Sequence, residues 1–323
     1  MTTLKLSVIV CTHNPRKDYL ERVLQALKTQ SLSQESWELL LIDNASNTIL
    51  ASEVDLSWHS NAKHIREETL GLTPARLRGI REASAEALIF VDDDNVLGSD
   101  YLEIASKISE DFPFLGTWGG RITPQFEKTP PDWTKPYWQY LAIREFEQDK
   151  WSNLLHQHET TPCGAGLCVR KIVAEKYAEV VRSHPERAGL DRRGKLLISC
   201  GDSDLAFTAC DIGLGTGMFV SLHLIHLMPS NRLEEDYLLR LTEGIHYSIT
   251  MLESFRGKIA VPEKVSLRGR LREHYQLLKM SARDRRFYQV SQRGRAQALQ
   301  EVLKIQKNVV YEVNQLNRSE NCA

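Results

Sequence analysis

The run Ile89-Phe90-Val91-Asp92-Asp93-Asp94-Asn95 joins three apolar strand formers to three consecutive acids. Apolar β-formers before a polar stop read as a buried strand ending at a surface. Three adjacent carboxylates there repel one another and lose hydration, a cost that a bound cation relieves. Hard divalent ions such as Mg²⁺ and Mn²⁺ take oxygen ligands and leave positions open for phosphate oxygens. The first expectation is therefore a metal-diphosphate site at the edge of an α/β sheet. Asp92 and Asp94, a DXD pattern, can aim two carboxylates at one cation, or one at the cation and one at a ribose, with Asp93 turned to a hydroxyl. The plainer alternative is a solvated turn with an Asp helix cap.

A second acid pair, Asp202 and Asp204, stands in Ser199-Cys-Gly-Asp-Ser-Asp-Leu-Ala206 at a predicted helix start. An acceptor hydroxyl attacks an anomeric carbon poorly unless it loses its proton, and a positioned carboxylate can take it. N-capping is the alternative; it explains one acid more readily than two. His223 and His226 end the last predicted strand. There His226 is either a further metal ligand, a diphosphate contact, or structural. Arg76, in Gly71-Leu-Thr-Pro-Ala-Arg76, pairs with a phosphate or base, or is a surface charge on its helix.

The elements that must position these residues follow from periodicity. Strands are predicted over Leu6–Cys11, Trp37–Ile42 and Ala87–Val91, with helical spacing over Asp18–Thr29 and from Thr73 or Pro74 to about Ala87. Three strand-helix units predict an α/β fold with a doubly wound, mostly parallel sheet. In such sheets ligands bind beyond the carboxyl ends of the strands. His13-Asn14, Asp43-Asn44 and Asp92–Asp94 all fall at such ends, which argues for a single site. The turn after the first strand, Cys11-Thr-His-Asn-Pro-Arg16, has no glycine, and no P-loop lysine motif occurs, so no Gly-rich loop cradles the phosphates.

Further on, Gly116–Trp138 is expected to be a loop or irregular insertion. Cys163-Gly-Ala-Gly-Leu-Cys-Val-Arg170 precedes a helix over Ile172–Ser183, and Ser183–Lys195 loops out. A helix over Asp202–Ile212 is stopped by Gly213, Gly215 and Gly217. A last strand, Phe219–Leu227, is closed by Pro229. Helices over Glu234–Ser254 and Leu267–Val313 follow, separated near Pro262. The predicted division is residues 1–229 as the site-bearing domain and 230–323 as a helical region.

Composition is that of a soluble globular protein. The net charge of -1 hides an asymmetry: 15 Lys+Arg and 6 Asp+Glu from Arg256 onward leave 26 and 36 before it. The basic segment predicts an anionic contact (a membrane, nucleic acid or the acidic body of the same protein) or, equally, a solvated helical face. Leu271, Tyr275, Leu278, Phe287, Val290, Leu299, Val302, Leu303 and Val309 give that segment an apolar stripe. It would pack on the first domain, on a second copy of the chain as a homo-oligomer, or on anionic lipid. No nucleic-acid recognition motif accompanies the charge. Cys11, Cys163, Cys168, Cys200, Cys210 and Cys322 form no C-x-x-C pair, which fits reduced thiols in the cytoplasm. No signal peptide and no membrane-length apolar run is expected.

Taken in order, these motifs resemble the family 2 glycosyltransferases of GT-A fold: Ser-Val-Ile-Val-Cys-Thr-His-Asn at 7–14, Ile-Asp-Asn-Ala-Ser at 42–46, Gly71–Arg76, Val-Asp-Asp-Asp-Asn at 91–95, Cys-Gly-Ala-Gly at 163–166, Gly-Asp-Ser-Asp-Leu at 201–205, and the terminal histidine strand. The resemblance covers roughly Leu6 to Pro229. It implies a metal-dependent inverting transferase that moves a sugar from a nucleotide-diphosphate sugar, a UDP-sugar first, to a glycan or lipid-linked acceptor in polysaccharide biosynthesis. It would work in the cytoplasm or on the inner membrane face. Thr12, His13, Asn14, Asp43, Asn44 and Arg76 would line the nucleotide pocket. Asp92 and Asp93 would hold ribose or sugar, and Asp94 would hold Mg²⁺ or Mn²⁺, with Asp92 and His226 as further ligands. Gly164, Ala165 and Gly166 would lie near donor sugar and acceptor, and Asp202 would be the general base. Two departures stand out. His13 replaces the usual tyrosine, and Gly201 replaces the usual glutamate before Asp202, which shifts part of its task toward Asp204. The alternatives are a sugar nucleotidyltransferase and a nucleotide-sugar-binding module without catalysis. Trp118–Trp138 and Trp151–His158 are the loops expected to set specificity.

Overall fold

The structure, a computed structural model, describes residues 4–192, 197–258 and 267–320. The break expected near Pro262, the Lys195 end of the 183–195 loop, and Cys322 lie outside the described residues.

Alternation of side chains builds the sheet. Along β1 (Leu6–Thr12), Leu6, Val8 and Val10 enter one core, and Ile9 and Cys11 enter the other. The same division runs through β2 (Trp37–Asn44) and β4 (Ala87–Asp92). Successive strand residues face opposite sides, so an unbroken apolar run requires cover on both. Helices α1 (Lys17–Lys28) and α3 (Tyr101–Asp111) cover one face through Leu20, Val23, Leu27, Leu102 and Ala105. Helices α2 (Leu72–Glu82), α4 (Lys171–Ser183) and α5 (Gly201–Asp211) cover the other through Ala75, Ile80, Val173, Tyr177 and Leu205. Each of the Leu, Ile and Val side chains among them contributes roughly 1.5–3 kcal/mol on burial.

The remaining strands are β3 (Ala62–Glu67), β5 (Asn95–Leu97), β6 (Leu115–Phe126), β7 (Lys150–Ser152), β8 (Leu167–Arg170) and β9 (Gly215–Met228). The order is β3-β2-β1-β4-β8-β6-β9-β5, with β7 also on β9. Strands β3, β2, β1, β4, β6 and β9 share one direction; β8, β5 and β7 run against them. This is the doubly wound, mostly parallel α/β sheet that the sequence predicts.

Three local expectations need correction. Much of Gly116–Trp138 is not a loop but strand β6, followed by a 3-10 segment over Asp132–Leu141. Trp118 is fully buried in that strand rather than exposed in a specificity loop. Strand β9 begins at Gly215, not Phe219. Glycines misled here because they serve close approach: a Cβ on Gly120 would lie 2.1 Å from the Leu222 carbonyl oxygen. Helix α2 stops at Glu82 rather than near Ala87 because the Ser84 N–H is taken by Glu38 Oε1 at 2.6 Å.

The chain divides into two compact units: Met1–Leu196 with Gly201–Glu234, and Leu197–Cys200 with Glu235–Ala323. The division falls after Glu234, a little beyond the expected 229, and the Leu197–Cys200 segment goes with the helices. The second unit holds α6 (Glu235–Phe255), α7 (Leu267–Lys279) and α8 (Ala282–Glu320). Acids of α6 meet bases of α8: Glu235 pairs with Arg283 at 3.2 Å and Arg286 at 2.5 Å, and Glu243 pairs with Arg293. The helix expected to run unbroken from Leu267 to Val313 is two helices. At the break, Ser281 Oγ accepts the Asp284 N–H at 3.1 Å and caps α8.

Candidate active site

The rim of the sheet collects the polar strand ends into adjacent rows. Thr12 of β1 is paired in register with Asp43 of β2, and Cys11 with Asp92 of β4. Asn95, opening β5, is paired with His226 of β9. Strand geometry alone therefore brings residues 12, 43, 92 and 226 to one edge from distant parts of the chain.

At the β1 and β2 ends the side chains organise backbone. Asp43 is buried, and its carboxylate accepts the N–H groups of Ser46 at 3.2 Å and Leu50 at 3.1 Å and the Arg66 guanidinium at 2.8 Å. Burial raises its pKa, but these donors prevail and hold it below the ordinary value. Asn44 reaches Thr69 O at 2.7 Å and accepts the Gly71 N–H at 2.8 Å, fixing the entry to α2. His13 Nδ1 lies 2.7 Å from Asn44 O, and the Asn14 N–H donates to Ser46 Oγ at 2.9 Å. Asn14 and Ala45 sit at φ 48 and 51, left-handed conformations uncommon outside glycine. His13 and Asn14 remain exposed, open to a base or ribose.

The aspartate triplet divides by neighbour. Thr12 Oγ1 donates to Asp93 Oδ2. Burial and the charge of Asp94 push Asp93 up to about 7. Burial also raises Asp92, against the pull of Arg76. Asp94 goes the other way: burial favours its neutral form, but His226 and Arg232 outweigh it and keep the carboxylate charged. Arg232 Nη2 donates to Asp94 Oδ2 at 2.8 Å, and His226 Nε2 lies 3.4 Å from the same oxygen. Asn95 Nδ2 donates to Asp94 Oδ1 at 2.9 Å. The Asp94 carboxylate is the oxygen ligand that suits Mn²⁺ or Mg²⁺ in company with phosphate oxygens, and the imidazole, whose Nε2 lies 3.1 Å from Arg232 Nη1, would add a nitrogen ligand beside it. Asp92 does not complete the set: among the described residues no three His, Cys, Asp or Glu side chains group to hold a metal. The cation on Asp94 in this structure is the guanidinium of Arg232.

On the other side of the rim, Asp202 at the start of α5 accepts the Gly164 N–H at 2.7 Å and the Ser203 N–H at 2.7 Å. A Cβ on Gly164 would lie 2.4 Å from Arg76 Nη2, so only glycine lets the guanidinium rest there. Ala165 and Gly166 are buried beside it, and Gly166 O accepts Tyr101 Oη at 2.7 Å. Arg76 is itself buried, and burial opposes its charge; Asp191, Asp202 and Asp92 outweigh that and raise its pKa. Its surface-charge alternative is thereby set aside. Asp204 points elsewhere. It is fully buried and accepts Arg187 Nη1 on both oxygens at 2.7 and 3.0 Å, so it does not share a face with Asp202. His223 Nε2 pairs with Thr123 Oγ1 at 2.9 Å.

The sequence reading missed Asp191 and Arg232. The signal for Asp191 was indirect: a helix-borne arginine that turns inward needs an acid partner. For Arg232 no local pattern existed beyond a basic residue soon after the histidine strand.

Residues 7–172 match the family described as Glycosyl transferase family 2. Over 102 residues the chain is 29% identical to the cholesterol galactosyltransferase of Borreliella burgdorferi, covering 31% of this chain and 28% of that protein. The chain thus spans well under two thirds of the length of that curated relative. Among solved structures, S. aureus TarS superposes with a TM-score of 0.51 at 17% identity over 79% of this chain and 43% of the other. TarS 1-349 in complex with UDP-GlcNAc gives a TM-score of 0.52 at 14% identity over 96% and 92%. At such identities the likeness is one of fold.

Proposed function

This chain belongs to glycosyl transferase family 2, and we propose that it is a glycosyltransferase that moves a sugar from a UDP-sugar to an acceptor hydroxyl in one inverting displacement. The observation that carries the reading is the meeting of two acid clusters across Arg76, which feels Asp92 on the donor side and Asp202 on the other. TarS 1-349 binds UDP and UDP-GlcNAc in its solved complexes, which supports a uridine donor here. The Borreliella burgdorferi relative, a cholesterol galactosyltransferase, supports a lipid as the acceptor.

The chemistry follows from the rim. The nucleotide lies over the β1 and β2 ends, between His13, Asn14 and the Asp43 loop. Asp92 and Asp93 face ribose and sugar. Asp202, held in place by the Gly164 and Ser203 N–H groups, takes the acceptor's proton. The acceptor oxygen then bonds to the anomeric carbon on the face opposite the phosphate, and the bond to the diphosphate breaks with its electron pair on UDP. Positive charge at Arg232 meets the developing negative charge. When bound, Mg²⁺ or Mn²⁺ would be held by Asp94 and His226 and would supply further charge of that kind. Holding both substrates in line removes much of the entropic barrier.

The test is release of UDP from a panel of UDP-sugars with Mn²⁺ or Mg²⁺ present, alongside thermal stabilisation by UDP. UDP formation with at least one donor is expected. Pyrophosphate in its place would make the chain a nucleotidyltransferase, and stabilisation without turnover would make it a binding module. A ligand at about 100 times its Kd adds about 2.7 kcal/mol of stability, enough to read as a shift in Tm.

A further inference from the structure

Gly201 opens α5 where the resemblance expects an acid, and the volume that a side chain there would fill is taken by another carboxylate. A Cβ on Gly201 would lie 2.2 Å from Asp191 Oδ2, 2.4 Å from its Cγ and 2.8 Å from its Oδ1. Asp191 reaches this point from the 3-10 turn over Pro185–Leu190, a different part of the chain. It is 4% exposed. Its Oδ2 accepts Thr73 Oγ1 and Arg76 Nη1, both at 3.0 Å.

The contacts form one line. Asp191 holds Arg76; Arg76 Nη2 rests where Gly164 lacks a side chain; Gly164 donates its N–H to Asp202. A buried guanidinium requires a partner, and with Asp191 discharged its remaining acids are Asp202 and Asp92. Either new pairing would take a carboxylate from the reaction. We propose that Asp191 is a positioning residue for glycosyl transfer: it occupies the place of a side chain at 201 and holds Arg76 against Gly164, leaving Asp202 available to the acceptor. This rests on the transferase reading above.

Relocating the charge tests it. Asp191→Asn keeps the shape and removes the charge; kcat for UDP release from the best donor is expected to fall at least about tenfold, with the Kd for UDP within about threefold of wild type. Gly201→Glu alone drives a side chain into Asp191 and is expected to lower both Tm and kcat. Combined with Asp191→Ala, which empties that space, Gly201→Glu is expected to raise kcat at least about fivefold above Asp191→Ala and to recover Tm relative to Gly201→Glu. An Asp191→Asn kcat within twofold of wild type overturns the proposal. So does an equal loss of kcat and UDP affinity accompanied by a lower Tm, because that is what a purely structural acid would give. A double variant whose Tm recovers but whose kcat stays at the Asp191→Ala level also overturns it, while leaving the transferase reading intact. Wild-type protein that neither binds UDP nor releases it from any donor refutes the transferase reading itself, and the proposal with it.

Discussion

At the scale of single residues, the site separates two acids that look alike in sequence. Asp202 and Asp204 are two positions apart on α5, and residues so spaced do not share a helix face. Only Asp202 is turned to the rim and half-buried; Asp204 is spent on Arg187. Asp202→Asn is therefore expected to lower kcat by about a hundredfold or more while UDP still binds within about threefold, measured by steady-state UDP release and calorimetric titration. A kcat within a few-fold of wild type would move the base elsewhere. The same substitution at Asp204 is expected to act first on Tm. Asp94 makes a different prediction. Its charge is matched here by Arg232, so Asp94→Ala removes a carboxylate that both Arg232 and a divalent ion would use. Turnover is expected to vanish in Asp94→Ala and, in wild type, to fall on chelation and return with Mn²⁺ or Mg²⁺. Activity indifferent to EDTA would leave Arg232 as the cation of the leaving group. The place of Asp94 at a strand end was legible in the acid run; its partner was not, because Arg232 arrives through the pairing of β5 with β9 and no sequence pattern encodes that.

At the scale of elements, what was legible is what a strand or helix announces by itself. Val8-Ile9-Val10 and Leu39-Leu40-Leu41 are apolar on both faces, and the two cores they demand are where α1 and α2 supply cover. Short strands at β5, β7 and β8 carry too few residues to show a period, and β6 and β9 hide theirs behind glycines that close backbone packing requires. A buried acid ties the legible part together. Glu38 of β2 accepts Ser7 Oγ at 2.7 Å from β1, the Ser84 N–H at 2.6 Å, and Lys63 Nζ at 3.2 Å from β3. Burial raises its pKa, but these donors prevail and hold it below the ordinary glutamate value. Stability from Glu38 is then fully present above the ordinary glutamate range and is lost as pH falls through the depressed folded-state value. Glu38→Gln is expected to cost about 1–3 kcal/mol at pH 7, with the gap to wild type narrowing toward pH 3, as measured by urea unfolding. A gap that does not change with pH would mean that shape, not charge, is what β2 requires there.

At the scale of the whole molecule, charge is unevenly shared, with an excess of acids before Arg256 and of bases after it. The apolar stripe expected of the C-terminal region divides accordingly. On α8, Phe287 and Val302 are buried. On α7, Leu267, Leu271, Tyr275 and Leu278 are 78, 70, 58 and 65% exposed and recur at helical spacing, with exposed Arg268, Arg272 and Lys279 among them. No described helix is long and apolar enough to cross a membrane. A basic helix with an exposed apolar stripe has the chemistry to lie in the headgroup region of an anionic bilayer, each base near the surface contributing on the order of 1 kcal/mol. A transferase that acts on a lipid-borne acceptor would gain from that contact, because the acceptor hydroxyl lies in the same plane. The full chain is therefore expected to co-sediment with phosphatidylglycerol-containing vesicles, to ignore pure phosphatidylcholine, and to release as salt shortens the reach of the charges. Replacing Leu271 and Leu278 by aspartate should weaken that binding severalfold while UDP release in solution stays at the wild-type rate. Equal sedimentation of wild type and this double variant would remove α7 from the contact and return its stripe to packing against another copy of the chain.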